Sequence, residues 1–402
     1  MVLVHQGGFQ NTLTGVSNQP ITSDINGCTG DLKNADGTDS DIRAIVKRLD
    51  NAVDLVISGH THAAYNCSAT TTDVRGTSLS NAVTTARPTG MPNKVGRLVP
   101  VTSSSAFGRV LTEVDVTLDP STRDITAVAP HNVLVDRTDA AINAAIADAP
   151  AVKNVVAAYK AAVSPLANAV VATITAGMSN TANSAGEMEA GDLIADAQLA
   201  ATQPANLGGA QIAFMNAGGV RSPGFVNAAG SYPYSLTYGD AFTTQPFGNS
   251  LVTMTLTAQQ LKDVLEQQFA NCNGQGTSNR IMQVSSSLKY SWSGTGSCGS
   301  RIKDVAYTPT NVTVAPHQVV GPVETIVANG VVLNPGKTYR VTVNNFMATG
   351  GDGFGVLVGG TSQLGGAQDI DALIAYLGNY NTGLAYNPTD ASLAKPRISI
   401  AP

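Results

Sequence analysis

The sequence predicts a two-domain, mixed α/β protein, and three observations carry that expectation. The chain has 402 residues, more than the roughly 250 to 300 at which single hydrophobic cores stop growing. Continuous apolar strand runs alternate with segments of helical apolar spacing along its length. An alanine-rich, helix-favouring stretch from Asp139 to Ala162, interrupted by Pro150, separates two differently textured halves. Proline should end or kink a helix there, so the stretch reads as a connector. No fixed period of self-similarity suggests a repeat architecture.

In chain order, Met1 to His5 reads as a buried strand stopped by Gly7 and Gly8. A polar loop from about Asn18 to Thr38 precedes a helix over Ser40 to Leu49, with Ser40 or Asp39 as its cap. The acidic tract Asp36 to Asp41 lacks the later glutamate of a calcium loop and reads as a solvated cap. Asp54 to Ser58 is a continuous apolar strand broken at Gly59-His60-Thr61-His62. Strands are expected at Arg97 to Thr102 and Arg109 to Thr117. Pro100 makes the first less regular, because proline cannot donate to a ladder. Beyond the connector come a capped helix at Glu189 to Thr202, a strand at Gln211 to Met215 and an amphipathic helix at Thr257 to Phe269. Strands follow at Ser287 to Trp292, Val323 to Ala328 and Thr338 to Asn344, then a helix at Asp369 to Leu377.

Composition narrows the function. With 43% hydrophobic and 13% charged residues and a net charge of -5, the chain is globular and has no basic patch to neutralise a nucleic-acid backbone. No run approaches the roughly 20 apolar residues of a membrane span. Four cysteines, Cys28, Cys67, Cys272 and Cys298, allow three disulfide pairings and suggest an oxidising compartment. Pairing within each half, Cys28 with Cys67 and Cys272 with Cys298, keeps each bridge inside one domain and is expected to close loops outside the main sheet.

Two constellations carry chemistry. His5, His60 and His62 are three of only five histidines, each at the end of an apolar strand, where a buried strand fixes the ring and leaves one side open to a metal. His131 and His317 read as ordinary core or surface residues. In the second half, Asn216-Ala217-Gly218-Gly219-Val220-Arg221 follows a strand, so that glycines let the backbone approach a ligand and Arg221 offers a planar fork for phosphate. Phe247 in QPFGN and Phe346 in NNFMATGGDGF could sandwich a flat base, and Asp352 could accept from two ribose hydroxyls.

VLVHQGG followed by VDLVISGHTH is similar to the last two metal motifs of the calcineurin-like metallophosphatases, in the 5'-nucleotidase branch. NAGGVR, YGDAFTTQPFGN, the helix LTAQQLKDVLEQ and NNFMATGGDGF, in that order, resemble the 5'-nucleotidase C-terminal domain across residues 166 to 402. The resemblance implies part of a metallophosphatase β-sandwich with flanking helices over residues 1–136, a helical connector over 137–165, and an α/β nucleotide-binding domain over 166–402.

It implies two divalent ions, zinc, manganese or similar, with His5 and His60 on one and His62 on the other. It also implies base stacking by Phe247 and Phe346, base or sugar contacts by Asn216 and Asn249, phosphate or ribose contact by Arg221, and ribose binding by Asp352, with Gly218, Gly219 and Gly351 as further substrate-binding positions. The family's earlier D-x-H and G-N-H-[ED] motifs, the second bearing the transition-state histidine, are not in this sequence. No catalytic residue is therefore assigned, and truncation, partial metal occupancy and impaired activity are expected. A further substrate arginine that some members carry has no counterpart in Asn183-Ser184-Ala185-Gly186.

The implied activity is hydrolysis of nucleotide phosphate esters to nucleoside and phosphate, outside the cytosol: secreted, periplasmic or on the cell surface. The alternatives are a 2',3'-cyclic phosphodiesterase, a nucleotide-sugar hydrolase, or a non-catalytic nucleotide-binding fragment.

Overall fold

The computed structural model describes residues 1–10, 25–28, 32–33, 38–70, 90–147, 149–276, 278–381 and 383–401. The chain divides into two compact units, Met1–Asn154 and Val155–Pro402, both built of mixed α and β structure.

In the first unit β1 (Val2–Val4), α1 (Asp41–Val46), β2 (Val56–Ser58) and β3 (Ala64–Cys67) are followed by β4 (Met91–Pro92), β5 (Leu98–Val99) and β6 (Val101–Ser104). The hairpin of β7 (Val110–Leu118) and β8 (Ile125–Leu134) comes next, then α2 (Ala140–Ala147), and α3 (Pro150–Ala167) runs across the boundary into the second unit. The main sheet has the order β1-β2-β6-β3, with the first three strands parallel and β3 antiparallel to β6. Ile42, Val46, Val56, Tyr65, Val99 and Val101 form its core.

Several expectations need correction here. The β1 strand is the sheet edge rather than a buried strand, with Leu3 70% exposed. The expected strand Arg97 to Thr102 is split at Pro100: β5 pairs with β4 while β6 joins the main sheet. Proline lacks the N–H that would continue one ladder through that position. Ser40 occupies the cap position of α1 without making a side-chain cap bond. From the acidic tract, Asp39 pairs with Arg43 at 2.9 Å and with Lys47, whereas Asp36 and most of the polar loop before Thr38 lie outside the described residues. At Pro150 the expectation of a helix end holds, since α2 stops at Ala147, and Pro150 itself opens α3, a position where its missing N–H costs nothing. Neither α2 nor α3 buries a described side chain.

The second unit runs β9 (Val170–Ile174), β10 (Met178–Ser179), α4 (Glu189–Thr202), β11 (Ile212–Met215), β12 (Gly224–Phe225), β13 (Tyr234–Thr237), α5 (Tyr238–Thr244), β14 (Ser250–Thr257) and α6 (Ala258–Glu266). It continues with β15 (Gln283–Val284), β16 (Leu288–Trp292), β17 (Ile302–Tyr307), β18 (Thr310–Asn311), β19 (Gln318–Val319), β20 (Glu324–Ala328), β21 (Val331–Val332), β22 (Thr338–Asn344), α7 (Asn345–Ala348), β23 (Thr361–Gln368), α8 (Asp369–Leu377) and β24 (Ile398–Ile400).

One five-stranded sheet has the order β15-β11-β22-β14-β23 and a second the order β21-β20-β17-β16-β24. In β11 the alternation of a strand sends Ile212 and Phe214 into the core shared with α6 and the second sheet. Ala213 and Met215 face the side of α4 and α8. α4 is a capped helix only in the loose sense. Its cap position is Met188, whose N–H is taken by Gln283 Oε1 at 2.6 Å rather than by a capping side chain. By contrast, Thr257 and Gln260 form a reciprocal capping box that starts α6.

Both disulfides form, Cys28–Cys67 and Cys272–Cys298. The expectation that they close loops outside the main sheet fails for the first, because Cys67 is the last residue of β3. No helix among the described residues is long and apolar enough to cross a membrane.

Candidate functional site

In the first unit, the C-terminal ends of the paired parallel strands β1 and β2 bring His5 and His60 together. Their ring nitrogens, His5 Nε2 and His60 Nδ1, lie 3.2 Å apart. That is close to the separation of two imidazole donors on one tetrahedral zinc ion, about 3.3 Å for metal–nitrogen bonds of about 2.0 to 2.1 Å. At this distance one ring N–H can donate to the other ring nitrogen, and the same spacing is compatible with two imidazole donors on one divalent ion. The two loops interlock tightly: a Cβ on Gly7 would lie 2.5 Å from Gly59 O and from Thr61 Oγ1, and Thr61 Oγ1 donates to Gly8 O at 3.1 Å.

His62 is not gathered with the other two. Its ring meets the edge of Phe107 at a centroid distance of 5.1 Å, and Ser105 Oγ donates to its carbonyl at 3.0 Å. Among the described residues no group of three His, Cys, Asp or Glu side chains converges as a metal site. His60 and His62 both hold left-handed backbone conformations, with φ of 70° and 57°, as do Ser105 and Phe107. For non-glycine residues that costs of order 1 to 3 kcal/mol each and clusters at functional loops. Phe107, 78% exposed, was not singled out from sequence, and no local pattern distinguishes it.

In the second unit, strand direction explains why three distant motifs meet. β11 and β22 are parallel neighbours, so their C-terminal ends, at Met215 and Asn344, share one sheet edge. β14 is antiparallel to β22 with Leu251 opposite Asn344, so its N-terminal end joins them. Asn216, the Phe247–Asn249 turn and the Phe346–Asp352 turn are thereby delivered to the edge where open α/β sheets bind ligands.

A polar chain ties them together. Asn344 Nδ2 donates to Asn216 Oδ1 at 3.0 Å, and Asn216 Nδ2 donates to Asp352 Oδ2 at 2.8 Å. Asp352 Oδ1 pairs with Arg280 Nη1 at 2.7 Å, and Gln275 Nε2 donates to Asp352 O at 2.8 Å. Asp352 itself has φ 57°. Phe247 and Phe346 are each 45% exposed, so both rings can be reached from solvent. The Arg221 guanidinium lies 4.8 Å above the Phe247 ring centroid, a cation–π arrangement.

Asn249 is held through its own amide, which donates to Asp369 Oδ2 at 3.2 Å, while its carbonyl accepts from the Asp369 N–H at 2.7 Å. Burial pushes the Asp369 carboxyl above the ordinary carboxylate range. The glycines divide in role. A Cβ on Gly219 would lie 2.3 Å from the Met215 methyl, and one on Gly351 would lie 2.5 Å from Phe346 O and 2.6 Å from its ring. Gly218, by contrast, has room for a Cβ, 3.5 Å from Asp352 Oδ2. Arg280, Gln275, Asn344 and Asp369 were missed by sequence reasoning. Asn344 could have been found as the neighbour of the NFMATGGDGF turn. His131 and His317 are buried, as ordinary core residues are.

Residues 170–359 match the model of the family described as 5'-nucleotidase, C-terminal domain. The trifunctional nucleotide phosphoesterase protein YfkN of Bacillus subtilis is 32% identical over 171 residues, 42% of this chain and 10% of that protein. A snake venom 5'-nucleotidase of Naja atra is 26% identical over 335 residues, covering 82% of this chain and 56% of the venom protein. A Staphylococcus aureus structure described as a 5'-nucleotidase aligns with 100% of this chain and 64% of its own, at 12% identity and a TM-score of 0.50, which supports the fold alone. The chain spans only 10% to 38% of the length of three bacterial relatives. Residues 170–359 are thus similar to the 5'-nucleotidase C-terminal domain, and the chain as a whole is similar to the 5'-nucleotidases and nucleotide phosphoesterases among these relatives.

Proposed function

We propose that this chain binds a nucleotide through its second unit and belongs to an enzyme that hydrolyses nucleotide phosphate esters to nucleoside and phosphate. The observation that carries the reading is the convergence at one sheet edge of two half-exposed phenylalanines and a carboxylate fixed by Asn216. Phe247 and Phe346 would stack on the base, Asp352 would accept from the ribose hydroxyls, and Arg221 would leave the Phe247 face to meet phosphate. Asn216 and Asn249 would contact base or sugar, with Gly218 beside Asp352, while Gly219 and Gly351, where a Cβ has no room, let the turns close. Residues 166–402 would form this domain, 137–165 a connector, and 1–136 part of a metal-binding domain.

His5 and His60 would hold one divalent ion and His62 would face a second, zinc or manganese being suited to imidazole donors. Such ions polarise the phosphoryl group and supply a nucleophilic water at neutral pH. What the chain's own residues do is orient: the interlocked Gly7–Gly59–Thr61 contact holds the two imidazoles at ligand spacing. The two disulfides, and relatives named as a cell wall protein and as snake venom 5'-nucleotidases, support a secreted, periplasmic or cell-surface location.

A second reading, a nucleotide-binding fragment without turnover, is favoured by the position of His62 against Phe107, apart from the other two histidines. Calorimetric titration with adenosine and AMP, together with phosphate release from AMP with added zinc, manganese or magnesium, tests both. Nucleoside binding with turnover lost in His60→Ala supports hydrolysis by the chain itself. Binding without turnover supports the second reading, and no binding of either compound sinks the nucleotide site.

A further inference from the structure

We propose that Arg280 is a positioning residue that makes the site selective for ribose over 2'-deoxyribose by locking the plane of the Asp352 carboxylate. The inference rests on the nucleotide reading above and adds a residue to it.

Asp352 stands in a left-handed turn at φ 57°, with its main-chain carbonyl pinned by Gln275 Nε2 at 2.8 Å. Its carboxylate is gripped at both ends: Arg280 Nη1 at 2.7 Å from Oδ1 and Asn216 Nδ2 at 2.8 Å from Oδ2. Each carboxylate oxygen accepts about two hydrogen bonds, so one lone pair on each remains for a ligand. Two adjacent hydroxyls, 2' and 3', would need both oxygens in one fixed plane. A single hydroxyl could follow a carboxylate free to rotate. Arg280 therefore matters most for the ligand that uses both oxygens.

Arg280 is itself held from behind. Its N–H donates to Gln268 O at 2.7 Å, and the next residue, Ile281, packs so closely on Gly186 that a Cβ there would meet it at 2.7 Å. The segment that carries Gln275 begins at Cys272, which is joined to Cys298. The backbone on either side of Arg280 is thus tied to Gln268 and packed on Gly186, while its side chain is 44% exposed.

The test compares the full chain with Arg280→Met and Arg280→Lys by calorimetric titration of adenosine and of 2'-deoxyadenosine, with thermal melting to establish folding. Loss of one charge-assisted hydrogen bond predicts adenosine binding about tenfold weaker in Arg280→Met, with 2'-deoxyadenosine changed by less than about threefold. Arg280→Lys should recover part of the selectivity, because it keeps the charge without the planar fork. If both nucleosides weaken equally, or neither changes, the positioning role is wrong while the nucleotide site stands. If the unmodified chain binds no adenosine, the site reading fails and this inference falls with it. Should Arg280→Met not fold, Arg280→Lys alone decides: an unchanged adenosine to 2'-deoxyadenosine ratio refutes the lock, and a reduced one supports it.

Discussion

Replacing Gly351 by alanine perturbs the nucleotide site through Phe346 without touching a ligand-contacting atom. The added Cβ would sit 2.5 Å from Phe346 O and 2.6 Å from two carbons of its ring. Neither contact is tolerable, and the ring is the softer of the two, being half-exposed at 45%. Overpacking of this kind costs about 1 to 3 kcal/mol of stability. Displacing a ring that stacks on a base costs about 1 to 3 kcal/mol of binding, or roughly 5- to 150-fold in Kd. Gly351→Ala should therefore weaken adenosine binding nearly as much as Phe346→Ala does. The double variant should bind about as weakly as Phe346→Ala alone, because both act through one ring, whereas the stability cost against the Phe346 carbonyl persists. Calorimetry on the four proteins measures the cycle. Wild-type affinity in Gly351→Ala, or losses that add fully in the double variant, would refute the reasoning.

Phe247→Ala should weaken adenosine binding by about 1 to 3 kcal/mol, and Gly218→Ala, which has room for a Cβ, should change stability far less than Gly219→Ala; calorimetry and thermal melting check the two. Burial pushes the Asp192 carboxyl up to about 8 against the pull of Arg397 and Lys395, with Glu187 and Asp196 adding to the rise. Because the folded state then holds a proton the unfolded chain releases near 4, this group's contribution is full below about pH 4 and is lost as pH rises through about 8. Melting temperature should fall over that window for this reason and fall less steeply in Asp192→Asn. Opening Cys272–Cys298, which spans 26 residues, should cost about 3.5 kcal/mol by chain entropy, and peptide mapping without reduction should recover this bridge and Cys28–Cys67. Finally, His60→Ala should abolish the tighter phase of a cobalt or zinc titration, since it removes one of the two imidazoles at 3.2 Å; unchanged metal affinity would count against that pair.

Sequence alone determined the elements whose signals are local. The helices Glu189–Thr202 and Asp369–Leu377 and the strand Thr338–Asn344 lie where apolar period and flanking residues put them, and the turn motifs identified Asn216, Phe247, Phe346 and Asp352 as candidates. Within-half pairing of the cysteines was legible because bridges inside a domain need no long-range information.

Other features depended on partners far away in the chain. β14 is an interior strand of its sheet and was not read from sequence although SLVTMTLT carries a strand's alternation; its central place between β22 and β23 is what only the tertiary structure shows. Pro100 became a boundary between two ladders only because β4 and β2 present edges on either side. Arg280 and Gln275 belong to a segment with no turn signature, and Asp352 makes them site residues only once the sheet edge brings residues 72 and 77 positions apart into contact. His62, one residue beyond Thr61, shares the strand-end loop of His60 and its left-handed backbone, but its ring packs against Phe107 while that of His60 meets His5. Spacing places a residue on a loop; the dihedrals and packing of that loop decide which way its side chain points.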